Sequence, residues 1–536
     1  MSTPMSKIFI CSDVKLNNRY QNTIYFEDRT AQSMYFLDKC VKTYTNYTYL
    51  RKHWDIKVEA TMEEARTWNY LFFTNDNTTR YYYYFITDIE YVNDSVVLLS
   101  LEMDVMQTYH FDYQLLPSFI ERHHTPTDGI GEYLIDEGLD TGEFINAHSF
   151  DSDGLQGNCV LVLSSVDFRN SYGTATGTYI NGVYSALKLY AFDNTTMLNA
   201  LLLDISNAGF ADGIVSMWMY PKNLVKIDNE WTDTNYHEVT GTVLEDFTVG
   251  SYTQHKSKLF EGYTPKNNKL YTYPYNYLYC TNNSGTSAVY RWELFSNPLS
   301  AITFNTYGAL TPEGTVKIAP DQYKGTPGTN YDEGISLGGF PSCAWNADTY
   351  KVWLAQNINS LNVAKETITI NGMQGAISGA GQALGGIASL NVGQAASGGA
   401  AIGASLVNMN QQHKALMAQI QDRQVQPAQA RGSFSTNVNV ASGRQTFSFY
   451  YKCPRKEYAK AIDDYFTMYG YRVNKVDTPN RKNRKRFTYV KTVGCNLKGQ
   501  MCDADTVGIA RIFDNGITFW VDGDAIGTYL DPNPTL

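Results

Sequence analysis

The chain has 536 residues, of which 43% are hydrophobic and 18% charged, and this balance excludes a disordered protein. Its formal net charge of −10 excludes general binding of nucleic acid or anionic membrane through the whole surface. Aromatic residues make up 14%, and 41 tyrosines stand beside 41 glycines, a composition typical of half-buried strands joined by many turns. We therefore expect a mainly β, multidomain chain with minor α content.

The cysteines and the N-terminus indicate synthesis in a reducing cytoplasm. None of the eight cysteines forms a C-x-x-C pair, which disfavours a zinc ribbon or a thioredoxin-like site. The first residues, Met1 to Lys7, lack the long apolar stretch of a signal peptide. We expect reduced, mostly buried thiols and no secretion signal.

The N-terminal region, 1–128, consists of short strands. Residues 7–11 and 22–26 are strand-like runs, and 81–106 has the alternation of a hairpin. A three-residue loop at 93–95 would place Ile89 opposite Leu99.

The same register would place Phe85 opposite Met103, leaving one face of the hairpin apolar and the other acidic. The acidic face would carry four carboxylates: Asp88, Glu90, Glu102 and Asp104.

A change of composition to Tyr, Asn, Gly and Thr marks residues 129–342 as one or two inserted β-rich domains. Within it, 158–163 and 270–273 are strand-like, and 194–207 has the pattern of a short helix.

A charge-free stretch dominates the connector at 343–432. From Thr367 to Gln412 there is no Asp, Glu, Lys or Arg, and glycines recur with small-x-x-x-small spacing. Apolar residues at spacings of four and three then run from Ile402 to Ile420, which predicts a helical heptad seam ending before Pro427.

The last region, 433–536, has α+β character, and we expect it to complete the domain begun by 1–128. Pro454 opens a predicted helix that Gly470 ends at its C-terminal cap. A basic loop, 481–486, then leads into a strand at 487–490.

No catalytic or metal-binding pattern is present, and we expect neither an enzyme nor a cofactor. The chain contains no G-x-x-x-x-G-K-[ST], G-x-S-x-G or H-E-x-x-H. Asp151 to Gly154 begins like a calcium loop, but Leu155 and Val162 stand where ligands are needed. His123 and His124 have no spaced partner, so we expect a surface pair and not half of a metal site.

Several segments together resemble the tail knob (distal tail tube) proteins of small short-tailed phages, picovirinae-type podoviruses of Gram-positive hosts. They occur in the order expected for that family: Asp104–Tyr109, Leu116–His123, Lys266–Leu270 with Tyr273–Tyr275, Asp464–Tyr471 and Arg486–Lys491. Each match is short, but jointly they span most of the chain. Residues 143–249 match only weakly.

The resemblance implies a hexameric tube at the tail tip, with a β-barrel-like ring to which each subunit lends strands. It implies partners as well: other copies of the chain, an upstream tail tube or lower collar protein, the passing genomic DNA and a tail-tip lytic protein. It also implies an apolar loop that plugs the tube and enters the host cytoplasmic membrane during ejection. The charge-free stretch lies where that family carries the loop, and its apolar side chains are Ile377, Leu384, Ile387, Leu390, Ile402, Leu406 and Met409.

A negative wall lets a polyanion slide without sticking, so we predict that the acidic hairpin face lines the bore.

Alternatives remain at three points. On its residues alone, 367–412 fits a membrane-active segment and equally a plug that never touches lipid. The basic loop fits contacts to DNA phosphates, but one short basic run in an acidic chain favours a solvated loop or a subunit interface. For the whole chain, a receptor-binding adhesin with Tyr- and Asn-rich loops is the rival function, and the missing catalytic residues disfavour a wall-degrading hydrolase.

Overall fold

The computed structural model describes two compact units. Unit 1 comprises residues 1–144, 260–276 and 454–536, and unit 2 comprises 145–259 and 277–453. The structure describes residues 6–345 and 430–536 except for short gaps, which are 48–52, 76–79, 153–154, 156, 170–177, 181–182, 186, 209–212, 233, 252–255, 298–300, 313, 434–436, 438–439 and 441–444. The charge-free stretch and the heptad seam therefore lie outside the described residues.

The described residues of the first part of unit 1 form nine strands and three helices. The strands are β1 (Ser6–Ser12), β2 (Asn22–Ile24), β3 (Cys40–Tyr47), β4 (His53–Glu59), β5 (Trp68–Asn75), β6 (Tyr82–Asn93), β7 (Val96–Met103), β8 (Tyr113–Leu115) and β9 (Ser118–His123). The helices are α1 (Arg29–Asp38), α2 (Met62–Ala65) and α3 (Val105–Thr108). Local capping sets the helix starts: the Asp28 side chain accepts from the Ala31 amide, and Thr61 with Glu64 forms a capping box.

Among its described residues, unit 2 contains strands β10 to β26 and the helix α4 (Thr195–Ala208). The strands are β10 (Phe144–Asp151), β11 (Asn158–Ser164), β12 (Thr178–Ile180), β13 (Val183–Ser185), β14 (Lys188–Phe192), β15 (Ile214–Pro221), β16 (Val225–Ile227), β17 (His237–Thr242), β18 (Glu245–Ser251), β19 (Tyr277–Thr281), β20 (Ser287–Tyr290), β21 (Ala301–Gly308), β22 (Val316–Pro320), β23 (Ile335–Leu337), β24 (Ser342–Trp345), β25 (Ala430–Ser433) and β26 (Ser448–Pro454).

The chain then returns to unit 1. It adds β27 (Tyr471–Asp477), β28 (Phe487–Val493), β29 (Leu497–Gly499), β30 (Ile517–Trp520), α5 (Lys456–Tyr469) and α6 (Asp503–Asn515). Short 3-10 turns lie at Lys222–Leu224, Lys256–Gly262, Asn268–Tyr271, Trp292–Leu294, Tyr331–Glu333 and Gly523–Ala525.

A six-stranded antiparallel sheet, in the order β3-β1-β5-β6-β7-β4, forms the first layer of unit 1. The alternation of side chains along each strand gives the sheet two different faces. One face buries Ile8, Leu71 and Leu99 against Phe513 of α6 and Phe519 of the second sheet. The N-terminal and C-terminal regions of the chain therefore share one hydrophobic core.

The opposite face of the same sheet is apolar at one side and polar at the other. Over β1, β5 and the start of β6 it is apolar, and Phe36 of α1 packs on Tyr70, Phe72 and Tyr83. The far end of β6, with β7 and β4, carries polar side chains.

The second layer of unit 1 is a five-stranded sheet in the order β2-β30-β28-β9-β27. Only the β2–β30 pair is parallel; the other described pairs are antiparallel. A small two-stranded sheet pairs β29 with β8.

Unit 2 is also β-rich. It holds a seven-stranded sheet (β16-β17-β14-β11-β15-β24-β25), two four-stranded sheets (β10-β26-β19-β20 and β18-β21-β22-β23) and the β12–β13 hairpin. Helix α4 packs Met197, Leu201 and Ile205 onto Val160 and Val162 of the seven-stranded sheet. The expectation of a mainly β, multidomain chain is confirmed.

Several local predictions can now be compared with the structure. The predicted strand at 158–163 and the helix at 194–207 are confirmed as β11 and α4. The strand expected at 270–273 is wrong, because Asn268–Tyr271 forms a 3-10 turn. The run Leu270–Tyr273 has strand-forming side chains, but these do not define a strand when no neighbouring strand pairs with them.

Candidate functional site

The β6–β7 hairpin carries the acidic face predicted from the sequence. Its turn contains only two residues, Asp94 and Ser95, and not the predicted three. Irregularities between Tyr91 and Asn93 and between Ile86 and Asp88 each add one residue to β6. These bulges shift the strand register twice.

The bulge between Tyr91 and Asn93 compensates for the shorter turn and restores the predicted pairing of Ile89 with Leu99. The second makes the predicted pairing of Phe85 with Met103 wrong, because Phe85 lies opposite Glu102 instead. Each bulge shifts the register by one residue, and side chains alternate with a period of two, so a single bulge changes which residues face each other.

Asp88, Glu90 and Glu102 lie on one face of the sheet. Asp88 pairs with Ser100 and Glu90 with Leu98, two positions that alternate in step with Glu102. Both Asp88 and Glu90 are exposed.

Glu102 is half-buried and accepts a hydrogen bond from Asn18 Nδ2 at 2.8 Å. The neighbouring strand β4 adds Asp55, opposite Ser100, and Lys57, opposite Leu98, and both are exposed. Glu59, opposite Val96 and also exposed, continues the same alternation, so the open part of this face carries five carboxylates and one ammonium group.

Asp104 does not belong to this face, and the prediction that it lines a bore with the other three is corrected. It is 1% exposed and caps α3, where its Oδ1 accepts from the amides of Met106 and Gln107 at 3.0 and 3.1 Å. Its Oδ2 accepts from the Tyr70 hydroxyl at 2.9 Å. Burial raises the pKa of Asp104 to about 6, and the hydrogen bonds that it accepts oppose that rise. Strand β7 ends at Met103, so alternation no longer applies at the next residue.

The seven apolar residues assigned to the plug or membrane loop lie outside the described residues: Ile377, Leu384, Ile387, Leu390, Ile402, Leu406 and Met409. In the part of the chain that the structure describes, no helix has both the length and the apolarity that crossing a bilayer requires.

The basic loop 481–486 contacts its own chain. Lys482 Nζ lies 2.5 Å from Glu27 Oε1. Arg484 is buried, and its Nη2 lies 3.3 Å from Thr125 Oγ1. Unit 1 therefore holds part of this loop inside its fold, which corrects the expectation of a solvated loop.

The His123–His124 pair is buried. This corrects the expectation that the two histidines lie on the surface. Burial lowers the pKa of His123 to about 4 and that of His124 to about 3. His124 Nδ1 accepts from the Tyr489 amide at 2.7 Å, and its Nε2 lies 3.0 Å from the Thr467 carbonyl oxygen, so the ring is a neutral structural group. Among the residues described, no group of three His, Cys, Asp or Glu side chains is placed to hold a metal ion.

A buried ionic cluster was not found from the sequence. The Glu137 side chain is 0% exposed and pairs with both Arg122 and Lys269, the latter at 2.5 Å. Lys269 Nζ also donates to the Ile135 carbonyl oxygen at 2.8 Å. The cluster joins Arg122 and Glu137 to Lys269, which lies 132 positions after Glu137, and no local pattern signals it.

Asp463 of α5 anchors the returning segment 260–276. It is 0% exposed, and its carboxylate accepts from the Tyr263 hydroxyl at 2.7 Å and from the backbone amides of Lys266 and Asn267 at 2.7 and 3.1 Å. Together with the pairing of Lys269 and Glu137, these hydrogen bonds place the short segment in unit 1, between two stretches that belong to unit 2.

The comparisons with known proteins agree with this architecture. Residues 4–114, which include the six-stranded sheet, match the family described as Caudoviral major tail protein N-terminus. Residues 234–534 match the family described as Bacillus phage phi29 tail knob protein gp9, C-terminal domain. The sheet and these matches define a tail protein of a tailed bacteriophage. The chain belongs to the family of tail knob protein gp9.

Individual relatives span the whole chain. The chain is 24% identical to tail knob protein gp9 of Bacillus phage phi29, covering 98% of both sequences. It is 25% identical to tail knob protein gp9 of Bacillus phage B103, covering 97% of both. The solved structure of the bacteriophage C1 tail knob protein, gp12, superposes with a TM-score of 0.67 at 14% identity, covering 99% of this chain and 100% of that one. That structure shares the fold.

Proposed function

We propose that six copies of this chain form a tube at the distal end of the phage tail, through which the genome leaves the virion. The role is mechanical and not enzymatic. The observation that carries the proposal is the six-stranded sheet in a region matched to phage tail proteins. Within the described residues, its two end strands form no backbone ladder with each other, although the Tyr44 hydroxyl of β3 donates to the Glu59 carbonyl oxygen of β4 at 2.6 Å. Its end strands, β3 and β4, pair with no further strand among the described residues.

Open edge strands favour pairing with another chain. If β3 of one copy pairs with β4 of the next, every edge in a closed ring is satisfied by a head-to-tail contact. Each edge also exposes a large apolar side chain, since Val41 on β3 is 55% exposed and Trp54 on β4 is 43% exposed. Contact between neighbouring copies would remove both from water.

The acidic face of β6 and β7 suits the wall of such a tube. Five carboxylates outnumber Lys57 on this surface: Asp55, Glu59, Asp88, Glu90 and Glu102. Negative walls repel the DNA backbone, so the genome passes without being held. Asp104 is excluded from this role because it is buried.

We further propose that 367–412 first plugs the tube and then enters the host cytoplasmic membrane. As a helix rising about 1.5 Å per residue, this stretch is long enough for two crossings of a roughly 30 Å bilayer core. Small-x-x-x-small spacing permits close packing of helices in lipid. The Asn, Gln and Ser residues make it a poor permanent anchor, so insertion depends on release and on several copies acting together.

Leakage of dye from liposomes tests this second step. Deleting Gly372 to Asn410 should preserve assembly and abolish leakage at matched protein concentration. An aspartate in place of Leu384 should weaken leakage, because a charge at the centre of a membrane helix costs about 2.5 kcal/mol or more. Equal leakage from wild type and deletion would leave the stretch as a plug alone.

The partners follow from the tube. We propose contacts with an upstream tail tube or lower collar protein, with the host cytoplasmic membrane, with passing genomic DNA and with a tail-tip lytic protein. The place of action is the distal tail of the virion. No cofactor enters the proposed mechanism.

A receptor-binding adhesin remains the second candidate. Tyr279 and Tyr450 lie side by side on a face of unit 2, with ring centroids 6.3 Å apart and Lys452 Nζ within 6.0 Å of both. Aromatic rings of this kind stack on sugars. Binding of the purified chain to host cell walls, lost in a Tyr279→Ala/Tyr450→Ala variant that still assembles, would favour the adhesin.

A further inference from the structure

Two cysteines are strand partners in the six-stranded sheet of unit 1. Cys11, near the end of β1, lies directly opposite Cys40, the first residue of β3. Both are free thiols in the structure. In the strand pairs that the structure describes, no other two cysteines of the chain are partners. Nothing in the tube mechanism uses this pair.

The hydrogen bond beside the pair defines its geometry. The Ser12 amide donates to the Lys39 carbonyl oxygen at 3.2 Å, so this bond lies one residue beyond the two cysteines. Cys11 and Cys40 therefore form a non-hydrogen-bonded pair of an antiparallel ladder, in which the two Cα atoms lie about 4.5 Å apart and the side chains are closest. A disulfide bond joins Cα atoms about 4.4–6.8 Å apart, so this position can accept one without moving the strands.

Both side chains lie on the same face of the sheet. Cys11 is 0% exposed in the cluster that contains Phe36, and the half-buried Cys40 packs against that cluster. The register skips Val41 of β3, but this bulge follows Cys40 and leaves the two cysteines opposite each other. Rotation of the two side chains is therefore enough to bring their sulfur atoms together.

Weak hydrogen bonds hold the two thiols in their present directions. Cys11 Sγ donates to the Phe36 carbonyl oxygen at 3.4 Å, and Cys40 Sγ donates to the Lys42 carbonyl oxygen at 3.5 Å. A thiol is a weak donor, so little opposes the rotation. Burial raises the pKa of Cys11, because the thiolate is poorly solvated in the core. The more accessible Cys40 is therefore the thiol that reacts first.

We propose that Cys11 and Cys40 form a disulfide bond once the assembled tail leaves the reducing host cytoplasm for the oxidising medium outside. The oxidant is a small-molecule disulfide. The Cys40 thiolate attacks one of its sulfur atoms and releases the other half as a thiolate, and the Cys11 sulfur then attacks Cys40 and releases the second half. Two protein thiols are oxidised, one external disulfide is reduced to two thiols, and these take up the protons that the cysteines lose.

The disulfide bond links the end of β1 to the start of the edge strand β3. It closes a loop of about 30 residues that contains β2 and α1. Such a link stabilises a protein mainly by restricting its unfolded chain, so unit 1 becomes harder to unfold after oxidation. The effect is independent of the tube and of the membrane segment.

Oxidised glutathione is the probe that tests the pair. The full-length chain is purified with reductant, transferred to oxidised glutathione at mildly alkaline pH without denaturant, and digested without reduction after the remaining thiols are blocked. Mass spectrometry should find the peptide of Cys11 joined to the peptide of Cys40. The melting temperature should rise by about 5 °C or more and fall back when dithiothreitol is added.

Two serine variants separate this pair from general oxidation. Cys502 is exposed and has no cysteine as a strand partner in the described part of the chain, so Cys502→Ser should keep both the cross-link and the rise in melting temperature. Cys40→Ser should lose both. Should Cys40→Ser not fold, the peptides of the oxidised wild type decide the question by themselves.

Three results would overturn the proposal. The first is recovery of Cys11 from the oxidised wild type as a free thiol, or joined to a cysteine other than Cys40. The second is a glutathione mixed disulfide that stays on Cys40, because Cys11 would then be unable to reach it. The third is a rise in melting temperature in Cys40→Ser that equals the rise in wild type.

Discussion

The hydroxyl of Tyr70 donates a hydrogen bond to Asp104 Oδ2 at 2.9 Å inside the core of unit 1. Both residues are buried, at 0% and 1% exposed. The contact connects a strand at the centre of the six-stranded sheet with the start of α3, which begins directly after β7. Asp104 alternates with the acidic residues of the hairpin in the sequence, but in the structure its carboxylate is buried in the interior of unit 1.

Asp104 makes the stability of the fold depend on pH. Its pKa in the folded state, about 6, lies above the ordinary value of 3.8, so the folded state holds the proton more tightly than the unfolded state. Stability contributed by this group is therefore complete below pH 3.8 and is lost as the pH rises towards 6.

Asp104→Asn retains a cap and cannot ionise. Its stability relative to wild type should increase by up to roughly 3 kcal/mol between pH 4 and pH 7. Thermal or urea unfolding across that range measures the difference, and Asp88→Asn, at an exposed position, is the control. A difference between Asp104→Asn and wild type that stays constant with pH would contradict this account.

The buried cluster around Glu137 should be critical for unit 1. Glu137→Gln leaves two buried cations, Arg122 and Lys269, without their carboxylate, and we expect a loss of about 3–5 kcal/mol. Glu143→Gln is the matched control, since Glu143 pairs with Arg455 at 3.3 Å on the surface, with 75% and 55% of the two side chains exposed. Glu143→Gln should lower the free energy of unfolding by less than about 1 kcal/mol. Similar midpoints of urea unfolding for the two variants would show that the buried cluster does not stabilise unit 1.

Gly470 ends α5 at a φ of +64°. A Cβ at this position would meet the backbone carbonyl of His123. Gly494 has a similar φ of +68°, with nothing within 4 Å of the same added atom. Gly494→Ala should lower the free energy of unfolding by about 1–2 kcal/mol, because of its φ alone. Gly470→Ala should lower it by about 1–3 kcal/mol more, because the added Cβ clashes with the backbone. Equal unfolding free energies for the two variants would mean that the β9 backbone moves freely.

Charge reversal tests the wall of the proposed tube. The double variant Asp88→Lys/Glu90→Lys should assemble normally but slow genome ejection, because a positive wall retains the DNA backbone. Glu230→Lys/Asp332→Lys makes the same change of charge at exposed positions of unit 2. Ejection followed by release of DNA from intact virions distinguishes the two. Unchanged ejection in the hairpin variant would place its acidic face outside the bore.

Much of the hairpin could be predicted from alternation alone. The buried positions Val97, Leu99 and Leu101 follow a period of two, and the pairing of Ile89 with Leu99 is as predicted. The bulges in β6 could not be predicted, because they depend on how the strand twists against its neighbours and not on a local residue pattern. The bulge between Ile86 and Asp88 moves Phe85 away from its predicted partner.

Long-range contacts were the least predictable. The segment 260–276 has the composition of the region around it, and contacts with distant residues assign it to unit 1, among them the hydrogen bonds to Asp463 and the pairing of Lys269 with Glu137. The burial of His124 and Arg484 likewise results from packing between distant segments. Polar residues carry no sequence signal for burial when their partners lie hundreds of positions away.

The number of copies in the assembled particle tests the central claim most directly. Electron microscopy of the purified full-length chain, with light scattering on the same sample, reports both shape and mass. We expect rings or short tubes of six copies, because pairing β3 with β4 between neighbours closes every edge of the sheet. A monodisperse monomer at high micromolar concentration would contradict the tube.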